Sequence, residues 1–516
     1  MKKLLSIVLC ACILISIAIM GSVTEVAAAG LGPAVDKETV VIATADETPS
    51  LTTHMHNAVA GDYLNNLTHA GLFAYNANNE VVPFLAESYE VEKDENGKET
   101  IWLIKLREGL KFSDGSDLTS EDVVTTLEFV QDFPEIISYT QAYKEVEAVD
   151  ELTVKISTGD TPSAILPHDL AHHANFILPK ELIDADHDFN ADPVGAGPYK
   201  FDYWNKSEEI GLVYNEYFFG EEPAIKKIVW KIIPEGINRT IALQAGEVDY
   251  IIEFDSATVD SVENDDNVVV WNEPGVAHDW LGINMTKAPF DDINVRKAIN
   301  AGINKEDVIE VAQNGFATIA GAQLPIGLND GVTDEGYDSY DPEKAKEYLE
   351  AWGGDPTEIT LDIICSNEEK RRGAEVIQAN LAELGINCTI TSMDLATYLS
   401  ETAQLNHDSF IGGYSAASVQ AWIVGVFHSD NLGGSNKTGL DNEEIDALID
   451  EINQTVDLEK SEELVKELCI KLNELCPQAP LYQRNNLSAF KKGLEGVEIS
   501  PNGGFFVYQW YWADEE

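Results

Sequence analysis

An α/β protein of two lobes is the fold class this sequence predicts, on three observations. Strand and helix patterns alternate along most of the chain after residue 37. The 516 residues, 44% of them hydrophobic, supply core enough for two or more domains. Two segments, near Pro274 and Pro480, carry the chain between the halves, and a hinge of two crossings is what a closing clamp needs.

The elements follow in order. Lys2-Lys3, an apolar run from Leu4 to Met20 and the small residues Ala27-Ala28-Ala29 predict a signal peptide over residues 1–29, with an uncleaved anchor as the alternative. Leu9-Cys10-Ala11-Cys12 leaves lipidation open. Val40 to Thr44 reads as a strand, Leu51 to His56 as a loop and Gly61 to Ala70 as a helix. Tyr89–Glu92 and Thr100–Ile104 are strands whose link contains Asn96-Gly97. Asp94-Glu95-Asn96-Gly97 contains part of a calcium loop but lacks the other ligands, so a hairpin turn is expected there. Thr119 to Asp122 caps a helix running to about Gln131. Strand Val154–Ile156 and a helix from Ala164 to His173 then close a small subdomain of about residues 75–185.

Strands follow over Tyr199 to Tyr214 and Lys227 to Ile233, then a helix that Gly246 stops and a strand from Val248 to Ile252. After strand His278–Met285 and a turn at Pro289, Val295, Ala298, Ile299, Gly302 and Ile303 share one face of a helix that Asp291 or Asp292 can cap. Asp341-Pro342 opens another helix. Ile359–Cys365, the helix Glu368–Glu383 and Ile386–Met393 form a βαβ unit, Asp408–Gly412 is a strand, and a last helix runs from about Leu458 to Pro477. The expected division is lobe I over 37–276, lobe II over 277–478 and a return to lobe I over 479–516.

A net charge of −57, becoming −58 once the leader's Lys2, Lys3 and Glu25 are removed, excludes nucleic acid as a partner because no basic surface can displace phosphate counterions. It fits a solvated surface. Cys469 and Cys476 lie about 10 Å apart along one helix, beyond the roughly 7 Å limit for a disulfide. Cys365 and Cys388 fall near opposite ends of a parallel strand pair, so all four are expected to be small buried hydrophobes.

Several segments resemble one family. The run LGINMTKAPFDDINVRKAINAGINKEDVI, the series FLAESYEVEKDENGKETIWLIKLREGLKFSDG and Pro193-Val194-Gly195-Ala196-Gly197-Pro198-Tyr199 are similar to the extracytoplasmic solute-binding proteins of ABC importers, in their peptide and nickel family, family 5. That resemblance implies a periplasmic-binding-protein-like clamp of the class II type, with an extra small subdomain in the first lobe. It also implies an extracytoplasmic monomer that takes a small-molecule or peptide ligand and delivers it to an ABC permease with its ATPase subunits.

The site follows from the same resemblance. Peptide-binding relatives place an Asp, which holds the ligand's amino group, where this chain has Ala417 in Tyr414-Ser415-Ala416-Ala417. Dipeptide-binding relatives place an Arg near the strand end that here reads Ile364-Cys365-Ser366. Both fixed charges are therefore expected to be absent, which favours an oligopeptide-like or other organic solute held by Tyr414, Ser415, Ala417, Trp422, Trp280 and His54 through aromatic cover and uncharged hydrogen bonds. Nickel or a metal chelate is the alternative, through His54, His56 or the i, i+4 pair His168/His172. No nucleophile elbow, His-Glu-x-x-His or P-loop occurs, so the chain is not expected to be an enzyme, and an extracellular hydrolase or sensor domain is kept as the alternative from another class.

Overall fold

The computed structural model of the chain describes residues 37–513 except 263, 329 and 330, so the expected leader lies outside the described residues. None of the described helices is long and apolar enough to cross a membrane.

Two long antiparallel strands, Val268–Ile283 and Gln478–Lys491, run through the middle of an eleven-stranded sheet and organise the molecule. On one side the first of them bonds Ser409–Tyr414, which continues to the parallel strands Thr360–Cys365 and Asn387–Ser392. On the other, Gln478–Lys491 bonds Tyr250–Ile251, followed by Thr39–Thr44, Lys227–Ile232, Glu209–Tyr214 and Tyr199–Asn205. Their mutual register breaks between Pro274 and His278. There the Gln483 side chain donates to the Gly275 and Ile326 carbonyls at 3.0 and 3.2 Å and accepts from Ile326 N at 3.0 Å.

Each half has its own core. Leu281, Ile299, Leu361 and Ile377 belong to one, and Val40, Leu64, Trp230 and Trp510 to the other. A separate core sits beneath a four-stranded sheet built from residues 86–157, where helix Ser120–Val130 covers Trp102, Ile104 and Ile156. The expected cap of that helix is a capping box between Thr119 and Asp122. A helical layer of Val419–Phe427, Glu443–Gln454 and Leu458–Leu475 encloses Trp422 and Leu468. Helix Ile293–Gly302 buries Val295, Ala298 and Ile299, and of the two possible caps it uses Asp292, which accepts from Asn294 N at 2.8 Å. The four described cysteines are free, and Cys365 and Cys388 stand at opposite ends of their strand pair.

The helix expected from Ala164 to His173 is instead two pieces: Leu166–Leu170 and a 3-10 turn, His173–Asn175. The cause is tertiary. Asn175 Nδ2 donates to Asp169 O at 2.8 Å and Tyr139 O at 2.9 Å, which satisfies a helix-end carbonyl from outside, while His172 takes an extended conformation and caps the next turn. Strand Glu145–Asp150 had no counterpart in the sequence reading; it is an edge strand with only Val146 partly buried, so its short Glu-Val-Glu-Ala alternation is a weak signal.

Candidate functional site

Ser409–Tyr414 and Thr360–Cys365 run parallel, so their carboxyl ends emerge on one edge of the second half of the sheet, where open α/β folds place ligands. A cavity of about 160 Å³ opens there. Trp280 comes to it from the first crossing strand, Ser366 and Lys370 from the end of Thr360–Cys365 and the start of helix Glu368–Ala382, Tyr414 from its strand end, and Lys437 from a later loop. Gly413 belongs there for a steric reason: a Cβ would lie 2.7 Å from the buried Asp279 carboxylate. Asp279 in turn is gripped by Arg484 of the second crossing strand, at 2.6 and 3.0 Å. Burial raises the Asp279 pKa above the usual carboxylate range.

The lysines give the cavity its electrostatic character. Lys370 and Lys437 each approach the Tyr398 ring at 5.7 Å, and among the described residues neither has a carboxylate within 4.0 Å. Burial, and next the Lys370 charge, lowers the Lys437 pKa. Two lysines thus meet beside one aromatic ring in a chain whose net charge is −57. The strand end reads Ile364-Cys365-Ser366 with no Arg, and the positive charges at the cavity come from Lys370, in the first turn of the following helix, and Lys437, from another segment.

The residues singled out in the sequence are distributed as follows. Trp280 and Tyr414 line the cavity, whereas Trp422 is fully buried behind them, 5.7 Å from each ring. Ser415 and Ala417 lie on the loop beyond it, and the Ala417 carbonyl accepts from Asn79 Nδ2 of the small subdomain at 3.0 Å. Ala164 N, also in that subdomain, donates to Asn453 O of the helical layer at 2.9 Å, and Val456 packs against the subdomain's core.

The histidines fall elsewhere. His54 sits among Phe129, Phe133 and Phe189, where burial pushes its pKa down to about 4. His168 meets the Tyr75 hydroxyl at 3.1 Å, and His172 stacks on Tyr139 with ring centres 3.6 Å apart. Because the helix ends at Leu170, His168 and His172 do not share a helical face, and the i, i+4 metal pair read from the sequence is overturned. Only His56, among the described residues, keeps a grouping of possible ligands, with Asp62 and His173.

Residues 80–430 match the family model for the bacterial extracellular solute-binding proteins, family 5. The chain belongs to that family. The glutathione-binding protein GsiB of Escherichia coli strain K12 is 29% identical over 453 residues, covering 84% of this chain and 87% of the relative. GsiB of Pectobacterium atrosepticum is 28% identical over 450 residues, with 84% and 86% covered. Among solved structures, HbpA2 from Haemophilus parasuis superposes with a TM-score of 0.84 at 22% identity, over 92% of this chain and 100% of that one. The family 5 fold is two-lobed, and the protein is the solute-binding component of an ABC importer.

Proposed function

We propose that this binding protein captures an oligopeptide-like or other small organic solute bearing at least one carboxylate, and presents it to its membrane permease. The observation that carries the reading is the Lys370/Lys437 receptor facing a cavity walled by Trp280 and Tyr414. Glutathione, the ligand named for GsiB, is a tripeptide with two carboxylates, which agrees in kind with such a receptor. Lobe I over residues 37–276 and lobe II over 277–478 close about the register break in the crossing strands, and residues 479–516 return to lobe I. Trp280 and Tyr414 cover the solute, with Trp422 supporting both rings. The protein works outside the cell as a monomer, exported by the leader over residues 1–29.

Calorimetric titration with glutathione and with tripeptides carrying a free or an amidated C-terminus tests the receptor. Free carboxylates are expected to bind at least tenfold more tightly, about 1.4 kcal/mol, and Lys437→Ala or Lys370→Ala is expected to erase that preference. A preference for amidated peptides, or one unchanged in both variants, sinks the reading. Mass spectrometry of solute copurifying with the native protein then identifies the ligand.

A further inference from the structure

We infer that His56, Asp62 and His173 form a binding site for one divalent first-row transition ion, in the first lobe and apart from the lysine-lined cavity. Their ligand atoms all lie within 4.8 Å of one another, and His173 Nε2 and Asp62 Oδ1 are 2.8 Å apart. Ligands at bond lengths near 2.0 Å around a tetrahedral ion stand about 3.3 Å apart, a separation these distances bracket.

The orientation of His173 is the second observation. Its ring is buried, and Nδ1 lies 2.8 Å from the Thr53 carbonyl. A carbonyl can only accept, so Nδ1 carries a proton, and in the neutral ring Nε2 is the atom left to direct a lone pair into the cluster. This is the arrangement by which outer hydrogen bonds fix metal-binding imidazoles. Nε2 and Asp62 Oδ1, although close, are not aligned as a hydrogen bond, and both buried atoms are left without a hydrogen-bond partner. A cation placed between them satisfies both.

His56 completes the set at some cost. Its Nδ1 is 3.2 Å from Ala58 N and its Nε2 is 3.2 Å from Asn65 Nδ2, so coordination exchanges one of these long contacts for the ion. Two imidazoles and one carboxylate favour zinc, nickel or cobalt over magnesium or calcium, which prefer sets made wholly of oxygen. Three protein ligands leave a position open to water or to a chelating solute. The ion also clamps the loop bearing His56 and helix Val59–Thr68, which bears Asp62, to the 3-10 turn that carries His173.

Cobalt(II) titration of the chelator-treated protein in 1 M NaCl tests the site, because that salt screens exposed carboxylates over about 3 Å. The expected result is a visible absorption band saturating at one equivalent, with a rise in Tm. Asp62→Asn and His173→Ala are expected to weaken binding at least tenfold, His56→Ala less, and His187→Ala not at all. Should His173→Ala fail to fold, the near-isosteric Asp62→Asn decides alone. Absence of a band, or a band that Asp62→Asn leaves unchanged, overturns the site. Solute binding at Lys370 and Lys437 is expected to survive Asp62→Asn, so the two assignments fail separately.

Discussion

At the scale of single residues, the buried Asp279 is the group whose fate depends most on its neighbour. Its side chain is 1% exposed, while Arg484, which holds it bidentately, is 43% exposed. Removing the arginine strands a carboxylate whose pKa burial already raises, whereas removing both charges leaves only an amide to satisfy. Arg484→Met is therefore expected to lower the urea midpoint more than the double variant Arg484→Met/Asp279→Asn does, and additive losses in a double-mutant cycle contradict this. The cavity's residues were unequally legible from sequence. Trp280 and Tyr414 stand on strands that the family resemblance locates. Lys370 and Lys437 come from a helix start and a distant loop, and until the fold brings both to Tyr398 each looks like an ordinary surface lysine.

Among the elements, legibility followed how local the determining forces are. Helix Ser120–Val130 was readable because its cap is made within four residues: Thr119 N and Oγ1 both donate to Asp122 Oδ2, at 2.8 and 3.0 Å. Thr119→Ala, which leaves a first-turn amide without its acceptor, is expected to cost about 1 kcal/mol in urea unfolding. A cost near zero removes the cap from the stability account. Helix Leu166–Leu170 was misread because Asn175 and Tyr139 end it from outside the segment, and no periodicity within residues 164–173 encodes that. The paired crossing strands were legible only as two separate strands near Pro274 and Pro480, since their mutual register joins residues far apart in the chain.

For the whole molecule, acid sensitivity follows from the number of imidazoles enclosed without charge. Burial pushes the pKa of His54 and His168 down to about 4 and that of His69 and His278 down to about 3, against 6.5 for a free imidazole. In the window between these values the unfolded chain binds protons that the folded chain refuses. Their stabilising effect is thus complete above pH 6.5 and is lost progressively as pH falls toward 4 and then 3. Exposed carboxylates have their midpoints at about 4.5 and below, whereas the buried Asp169 and Asp279, whose pKa burial raises, oppose the histidine slope, so the four buried rings are weighed against these two carboxyls between pH 7.5 and 5. In 1 M NaCl, which screens the acidic surface, the urea midpoint is expected to be lower at pH 5 than at pH 7.5. His168→Gln, which keeps a polar group beside Tyr75, is expected to flatten that slope. A midpoint that stays level or rises toward pH 5 means that these rings accept protons inside the fold, and the neutral assignment then falls.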